Sequence, residues 1–320
     1  MIQTITDLPA LRTLVSQWKQ QGLRVALVPT MGNLHAGHFS LIELARRHAD
    51  RVVASVFVNP TQFGPNEDFG RYPRTPEADI AGLDAAGCDA VWLPPVDAMY
   101  PLGVDKATRM HSPGVSEVLE GASRPGHFDG VCTVVSRLFL QVQPDVAVFG
   151  RKDYQQLAVI RQLVEELSFP IQIIGADIVR DEDGLAKSSR NQYLDTAQRA
   201  LAPRIQQVLQ QVRHDHAAGL PRVQVEANAV ATLQADGFQV DYVVLRNPDL
   251  SEPGDDAPGP RVALVAARIG STRLIDNINQ QLPQFYGLLP KADLVVRRVE
   301  SFREEPGAAQ HYFPSSPDGT

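Results

Sequence analysis

The sequence predicts an α/β protein, with a parallel sheet in the first half and a smaller α+β domain after it. Two observations carry that prediction. Short β-branched runs at 24–28, 51–58, 89–93, 145–149 and 171–179 alternate with segments of helical periodicity, the pattern of strands joined by crossover helices. After about Val179 the texture changes to helices rich in Gln, Arg and Ala. Two strands follow, at 239–245 and 261–267, around a Pro/Gly/Asp-rich linker at 251–260. At 320 residues and 43% hydrophobic the chain can bury cores for two domains. The expected division is 1–178, 179–285 and a C-terminal extension at 286–320. Pro, Ser, Gly and acidic residues dominate 303–320, so part of that extension is expected to be disordered.

Taken in order, 7–21 reads as an amphipathic helix, with Leu8, Leu11, Val15 and Trp18 on one face and Gly22 as its stop. The run at 24–28 is a buried strand that Pro29 ends, and Gly32 and Asn33 form a turn. From His38 onward Phe39, Leu41, Ile42, Leu44 and Ala45 recur at helical spacing. His35-Ala36-Gly37-His38 therefore sits where a helix begins. A long polar loop, 59–79, follows the strand at 51–58; loops of this length in a compact domain are usually functional. A helix at 80–87, an irregular stretch at 94–130 and a helix at 131–142 lead to the strand at 145–149. Gly150-Arg151-Lys152-Asp153 then opens a helix bearing Leu157, Ile160, Val164 and Leu167 on one side.

In parallel sheets, ligands bind beyond the carboxyl ends of the strands. The chemically rich loops lie there, after Val28, Val58, Phe149 and Val179. A helix N-terminus presents unpaired amides and a partial positive charge, so histidines placed beside one suit an anion such as phosphate. Two histidines three apart also fit surface residues or half of a metal site, but no third ligand stands at a suitable spacing. Lys187-Ser188-Ser189-Arg190 offers hydroxyl and cationic donors suited to phosphate oxygens, and equally reads as a capped helix start. Lys152 can reach a phosphate as a point charge. Gln62 and Gln156 are amides that suit a hydroxylated organic ligand. Asp79, Glu120 and Asp153 are carboxylates able to meet Mg²⁺ or to orient Lys152.

Composition narrows the class. A net charge of −7 supplies no basic field for nucleic acid. No apolar run reaches membrane-spanning length. Cys88 and Cys132 stand in apolar surroundings without a C-x-x-C pair, as expected of reduced thiols in a cytoplasmic protein.

Seven stretches then coincide in order over about residues 1–280: P-T-M-G-N-L-H-A-G-H, F-V-N-P-T-Q-F-G, Y-P-R-T-P, 124–131, G-R-K-D-Y-Q-Q-L, S-S-R-N and R-L-I-D-N. Together they resemble the pantothenate synthetase (pantoate–β-alanine ligase) family, among the HIGH-motif nucleotidyltransferases. The resemblance implies a Rossmann-like first domain, a small C-terminal domain closing over ATP, and a cytoplasmic homodimer. It implies that ATP and (R)-pantoate form pantoyl adenylate and pyrophosphate, and that β-alanine then displaces AMP. Carried over by position, Met31, Gly32, Asn33, Leu34, His35, Ala36, Gly37 and His38 line the nucleotide site, with His38 as proton donor. Gly150, Arg151, Lys152, Asp153, Val179, Lys187, Ser188, Ser189 and Arg190 complete it. His35, His38, Lys152 and Arg190 are the expected catalytic groups. Gln62 and Gln156 hold pantoate, Gln62 also nears β-alanine, and Asp79 is the expected Mg²⁺ contact. Arg151 and Lys187 depart from the residues common in the family, each adding positive charge. Two rival readings are a nucleotidylyltransferase of the same superfamily and a non-catalytic ATP-binding regulator.

Overall fold

A six-stranded parallel sheet carries the first half of the chain. Its strands are β1 (Gln3–Ile5), β2 (Val25–Thr30), β3 (Arg51–Val56), β4 (Ala90–Trp92), β5 (Val146–Gly150) and β6 (Gln172–Ala176). They lie in the order β1-β4-β3-β2-β5-β6. The computed structural model describes residues 1–64, 67, 69–254 and 259–279. Both sheets belong to one compact unit, Met1–Gln281. The expected extension at 286–320, with its expected disorder, lies outside the described residues.

Period-two alternation sends each strand's side chains to two cores. Val25, Leu27, Val53, Ala147 and Phe149 face one side, packed by Leu11, Val15 and Trp18 of α1 (Leu8–Gln20) and by helices farther along the chain. Ala26, Val28, Val52, Ala54, Val146 and Val148 face the other, against Leu41, Ile42 and Ala45 of α2 (Ala36–Arg46) and Leu83 of α3 (Pro76–Ala85). Two short helices follow, α4 (Val96–Met99) and α5 (Glu120–Ser123). Then α6 (His127–Val142) and α7 (Tyr154–Glu166) complete the first face.

Local differences from the sequence reading have identifiable causes. Strand β1 leaves no periodic signal, because it is three residues long and only Ile5 of it is buried. Helix α6 begins four residues ahead of the expected 131: left-handed Gly126, at φ 79°, starts it and buries Phe128. Beyond the parallel sheet come α8 (Thr196–Leu201), α9 (Arg204–Ala217) and α10 (Arg222–Ala235). Helices α9 and α10 pack on an antiparallel sheet of β7 (Gln239–Arg246), β8 (Val262–Ile269) and β9 (Thr272–Asn279). The third of these strands is not visible in the sequence pattern. Its T-R-L-I-D-N-I-N hides the apolar alternation, because Asp276 and Asn277 are themselves buried.

Glu120, considered from sequence as a carboxylate for Mg²⁺, instead joins α5 to the second sheet. Its oxygens accept from Arg273 at 2.6 and 2.7 Å, and one also accepts from the Tyr242 hydroxyl at 2.7 Å. Burial pushes the Glu120 carboxyl up, but the hydrogen bonds and charge of Arg273 outweigh it and hold the group below its ordinary range. A folded pKa below the unfolded value contributes stability at higher pH that is lost as pH falls through it. Removing one partner of a buried pair strands the other charge. Arg273→Met is therefore expected to lose about 3–5 kcal/mol at neutral pH, measured by urea unfolding. The deficit should shrink in acid, where Glu120 is protonated in the variant. A deficit that stays constant with pH would show that the charge pair is not its source.

Candidate active site

The strand order reverses at β2, whose neighbours are β3 on one side and β5 on the other. This is the switch point at which a crevice opens beyond the carboxyl ends of a parallel sheet. The loop after β2 and the loop after β5 consequently meet. Gly32 lies at φ 87°, where a side chain is strained, and a Cβ there would stand 3.0 Å from Asp79 Oδ2. Asp79 is buried and gathers the loop: Asn33 N donates to it at 2.9 Å, Leu34 N at 2.8 Å and Thr75 Oγ1 at 3.1 Å. The carboxylate expected on Mg²⁺ is thus turned toward backbone amides. Among the described residues, no group of three or more His, Cys, Asp or Glu side chains is placed to hold a metal.

His35 caps α2. Its Nδ1 accepts from Gly37 N at 3.1 Å, and His35 N donates to His38 Nδ1 at 3.3 Å, so each histidine closes the other's end of a capping box. An accepting Nδ1 puts the proton of each neutral ring on Nε2. The rings lie 4.2 Å apart. Burial is the main force lowering His35 to about 4, with the charges of Lys152 and Lys187 adding to it. His38 falls to about 3 through burial, then His35 and Lys152. The pair therefore stands as neutral N–H donors, a chemistry that suits an anion. Gly37 answers to the same packing, since a Cβ there would come within 2.8 Å of the His35 ring.

Around this pair the structure assembles most of the residues read from sequence. A cavity of about 210 Å³ is lined by Met31, His35, Gly37, His38, Gly150, Lys152 and Asp153. Val179 and 187–190 line its other wall, brought together by the Lys187 N to Val179 O hydrogen bond at 2.9 Å. Gly32, Asn33, Leu34, Ala36 and Arg151 shape the loops without lining this cavity. Arg151 pairs with Asp177 at 2.6 Å. The Lys187 ammonium pairs with Asp181, which Arg199 also contacts at 3.1 Å. Ser188 caps the turn Ser189–Tyr193 by accepting from Arg190 N at 3.3 Å, so the capping reading of this motif holds for its backbone.

Gln62 and Gln156 stand where this cavity opens into a larger cleft of about 1170 Å³, which they also line together with Lys152, Ser188 and Arg190. Gln62 is held from three directions. Asn59 Nδ2 donates to its Oε1 at 3.0 Å, its Nε2 lies 3.1 Å from Met31 Sδ, and His127 Nδ1 meets its carbonyl at 2.8 Å. Sequence reasoning singles out neither Asn59 nor His127 for a role. Their signals are N-P after a strand and the R-P-G-H-F run. His127 is braced by Arg124 at 3.1 Å, and Arg124 forks onto Glu67 at 2.6 and 2.7 Å. Burial, then Arg124, lowers His127 to about 4. Gln155, beside Gln156, is structural: its Nε2 donates to the carbonyls of Val115 and Val118 at 2.8 and 2.7 Å.

Three histidines kept neutral by the fold make stability depend on pH. Between their ordinary value of 6.5 and their folded values near 3 to 4, the unfolded chain binds more protons than the native one. Stability is then expected to rise with pH across that window and to fall on acidification. Urea unfolding at a series of pH values measures it. His38→Asn removes one such group and should flatten the acid slope; an unchanged slope would mean that His38 titrates normally.

The family model for pantoate-beta-alanine ligase matches residues 3–279. The chain is 74% identical over 278 residues to a pantothenate synthetase of Stenotrophomonas maltophilia, covering 87% of this chain and 99% of that one. A pantothenate synthetase of Xanthomonas campestris pv. campestris is 72% identical over 282 residues, with 87% and 99% covered. The crystal structure of the pantothenate synthetase from Thermus thermophilus superposes with a TM-score of 0.82 at 44% identity, over 88% of this chain and 100% of that one. A Francisella tularensis pantoate-beta-alanine ligase, solved complexed with beta-gamma ATP and beta-alanine, gives 0.74 at 31% identity over 88% and 99%. By sequence and by fold, the chain belongs to the pantoate–β-alanine ligase family.

Proposed function

We infer that this chain performs its family's ligase reaction with the residues gathered at the carboxyl edge of the sheet. ATP and (R)-pantoate give pantoyl adenylate and pyrophosphate, and β-alanine then takes the pantoyl group and releases AMP. One observation carries the residue assignment. A single cavity joins the histidine pair, Lys152 and 187–190, and it opens on Gln62 and Gln156. Pantoate is already a carboxylate, so making the nucleophile requires no base. The obstacle is repulsion between that carboxylate and the triphosphate. Lys152, Lys187 and Arg190 offset the charge, and His35 and His38 offer neutral N–H donors to the phosphates as charge builds on the leaving group. Gln62 and Gln156 donate and accept, which suits the hydroxyls and carboxylate of pantoate. Gln62 lies on both cavities and is assigned to the path of the β-alanine amine, whose attack is a matter of placement.

Magnesium belongs to this proposal as a companion of the nucleotide. The ion is held largely by phosphate oxygens and water in such sites, and Asp79 spends its oxygens on the loop backbone. The described residues form no cage for it, so no step is assigned to the ion. Closure of the 179–285 domain over ATP and a homodimer come from the family resemblance. No helix among the described residues is long and apolar enough to cross a membrane. Both cysteines are free and buried, which supports a reducing, cytoplasmic setting. The family placement does not favour either rival reading, the nucleotidylyltransferase or the non-catalytic regulator.

Two measurements test the proposal. Pantoate alone should support exchange of labelled pyrophosphate into ATP without β-alanine; exchange that ignores pantoate, or needs β-alanine, removes the adenylate route. His38→Ala should slow single-turnover formation of pantoyl adenylate by about two orders of magnitude, as lost oxyanion-type stabilisation does. A near-normal rate would confine His38 to capping α2.

A further inference from the structure

R-L-I-D-N, the last of the sequence stretches, lies on β9, and its Asp276 and Asn277 are buried at 4% exposure each. Neither belongs to the catalytic groups above. The Asn277 side-chain amide spends both its protons on consecutive carbonyls, donating to Arg151 O at 2.8 Å and to Lys152 O at 2.9 Å. Those carbonyls belong to the loop after β5, beyond the strand itself. Asp276 accepts from Arg180 at 2.6 and 2.9 Å and from Asn277 N at 2.8 Å. Arg180 in turn donates to Gly184 O at 3.0 Å, inside the 179–187 turn that carries Lys187.

We propose that Asn277 is a positioning residue for Lys152, with Asp276 and Arg180 extending the same anchorage to the Lys187 segment. This rests on the reading that Lys152 meets the nucleotide. The Lys152 ammonium stands 3.9 Å from the Asp153 carboxylate, beyond hydrogen-bond length. With a flexible four-carbon stem and, among the described residues, only this distant carboxylate as an ion-pair partner at its tip, the lysine is aimed by its backbone. Asn277 grips that backbone, and it does so from the second sheet. One buried amide thus registers β9 against the switch-point crevice, and moving it displaces the charge that faces His35 and His38.

The test is a double-mutant cycle on the full chain: wild type, Asn277→Ala, Lys152→Ala and the double variant, each assayed for pantoate-dependent pyrophosphate exchange. Asn277→Ala should lower kcat by about a hundredfold, the cost of misplacing a catalytic group by an ångström, while KM for pantoate stays near wild type. The double variant should be no slower than Lys152→Ala, because Asn277 acts through Lys152. Additive losses would overturn the proposal, as would a wild-type kcat in Asn277→Ala. Should the alanine variant fail to fold, Asn277→Ser keeps one donor and should fold with an intermediate kcat; a kcat equal to wild type again overturns it. Absence of exchange in the wild type overturns the functional reading and this proposal together, whereas additive losses in an active enzyme overturn this proposal alone.

Discussion

Strand β2 is hydrogen-bonded along both edges, to β3 from Val25 through Thr30 and to β5 at Ala26 and Leu27. Its residues Val25 to Val28 are fully buried. That double pairing is the constraint on which the site depends. The chain leaves β2 for β3 and β4 on one side and then crosses from β4 to β5 on the other, so the loops beyond β2 and β5 come to lie side by side. Residues far apart in sequence, such as His38, Lys152 and Arg190, share one cavity as a result. Because the strands are buried on both faces, their register is strongly specified: a slip of one residue would exchange the two cores.

The electrostatics of the crevice follow from the same burial. The chain carries a net charge of −7, yet Lys152 and Lys187 lie close enough to His35 to help hold it uncharged. A cationic pair of histidines would add charge to a region that must also accommodate its own lysines. Keeping the rings neutral preserves them as directional donors, while the permanent charges sit on long side chains. Lys187, paired with Asp181 in this structure, shows how such a charge is parked. Its engagement with a phosphate would exchange one acidic partner for another.

A small apolar cluster, in which Tyr154 meets Leu250, Val262 and Leu264, joins the second sheet to the first half, and polar contacts with at least one buried partner fasten it further. Glu120 grips Arg273, Asn277 grips the loop after β5, and Arg180 grips Asp276. Such contacts contribute less net stability than apolar packing of the same area, but they are directional. They specify how β9 is set against the crevice. The apolar cluster alone would tolerate sliding.

From sequence alone, the alternation of strands and helices, the change of texture near Val179 and the ordered motifs determined the fold class, the family and most of the residues around the cavity. They are local properties: periodicity, turn residues and short motifs are written in adjacent positions. Tertiary structure decided what depends on residues far apart. It placed Asp79 under the loop amides, made His35 and His38 mutual caps held neutral by burial, and turned Glu120 into an ion-pair partner of Arg273. It also supplied Asn59 and His127 as supports for Gln62, and it revealed β9, whose buried Asp and Asn mask a strand's apolar alternation. The physical reason is common to all of them. A polar side chain declares its type in the sequence, but its partner, its burial and therefore its charge state are set only when the chain closes around it.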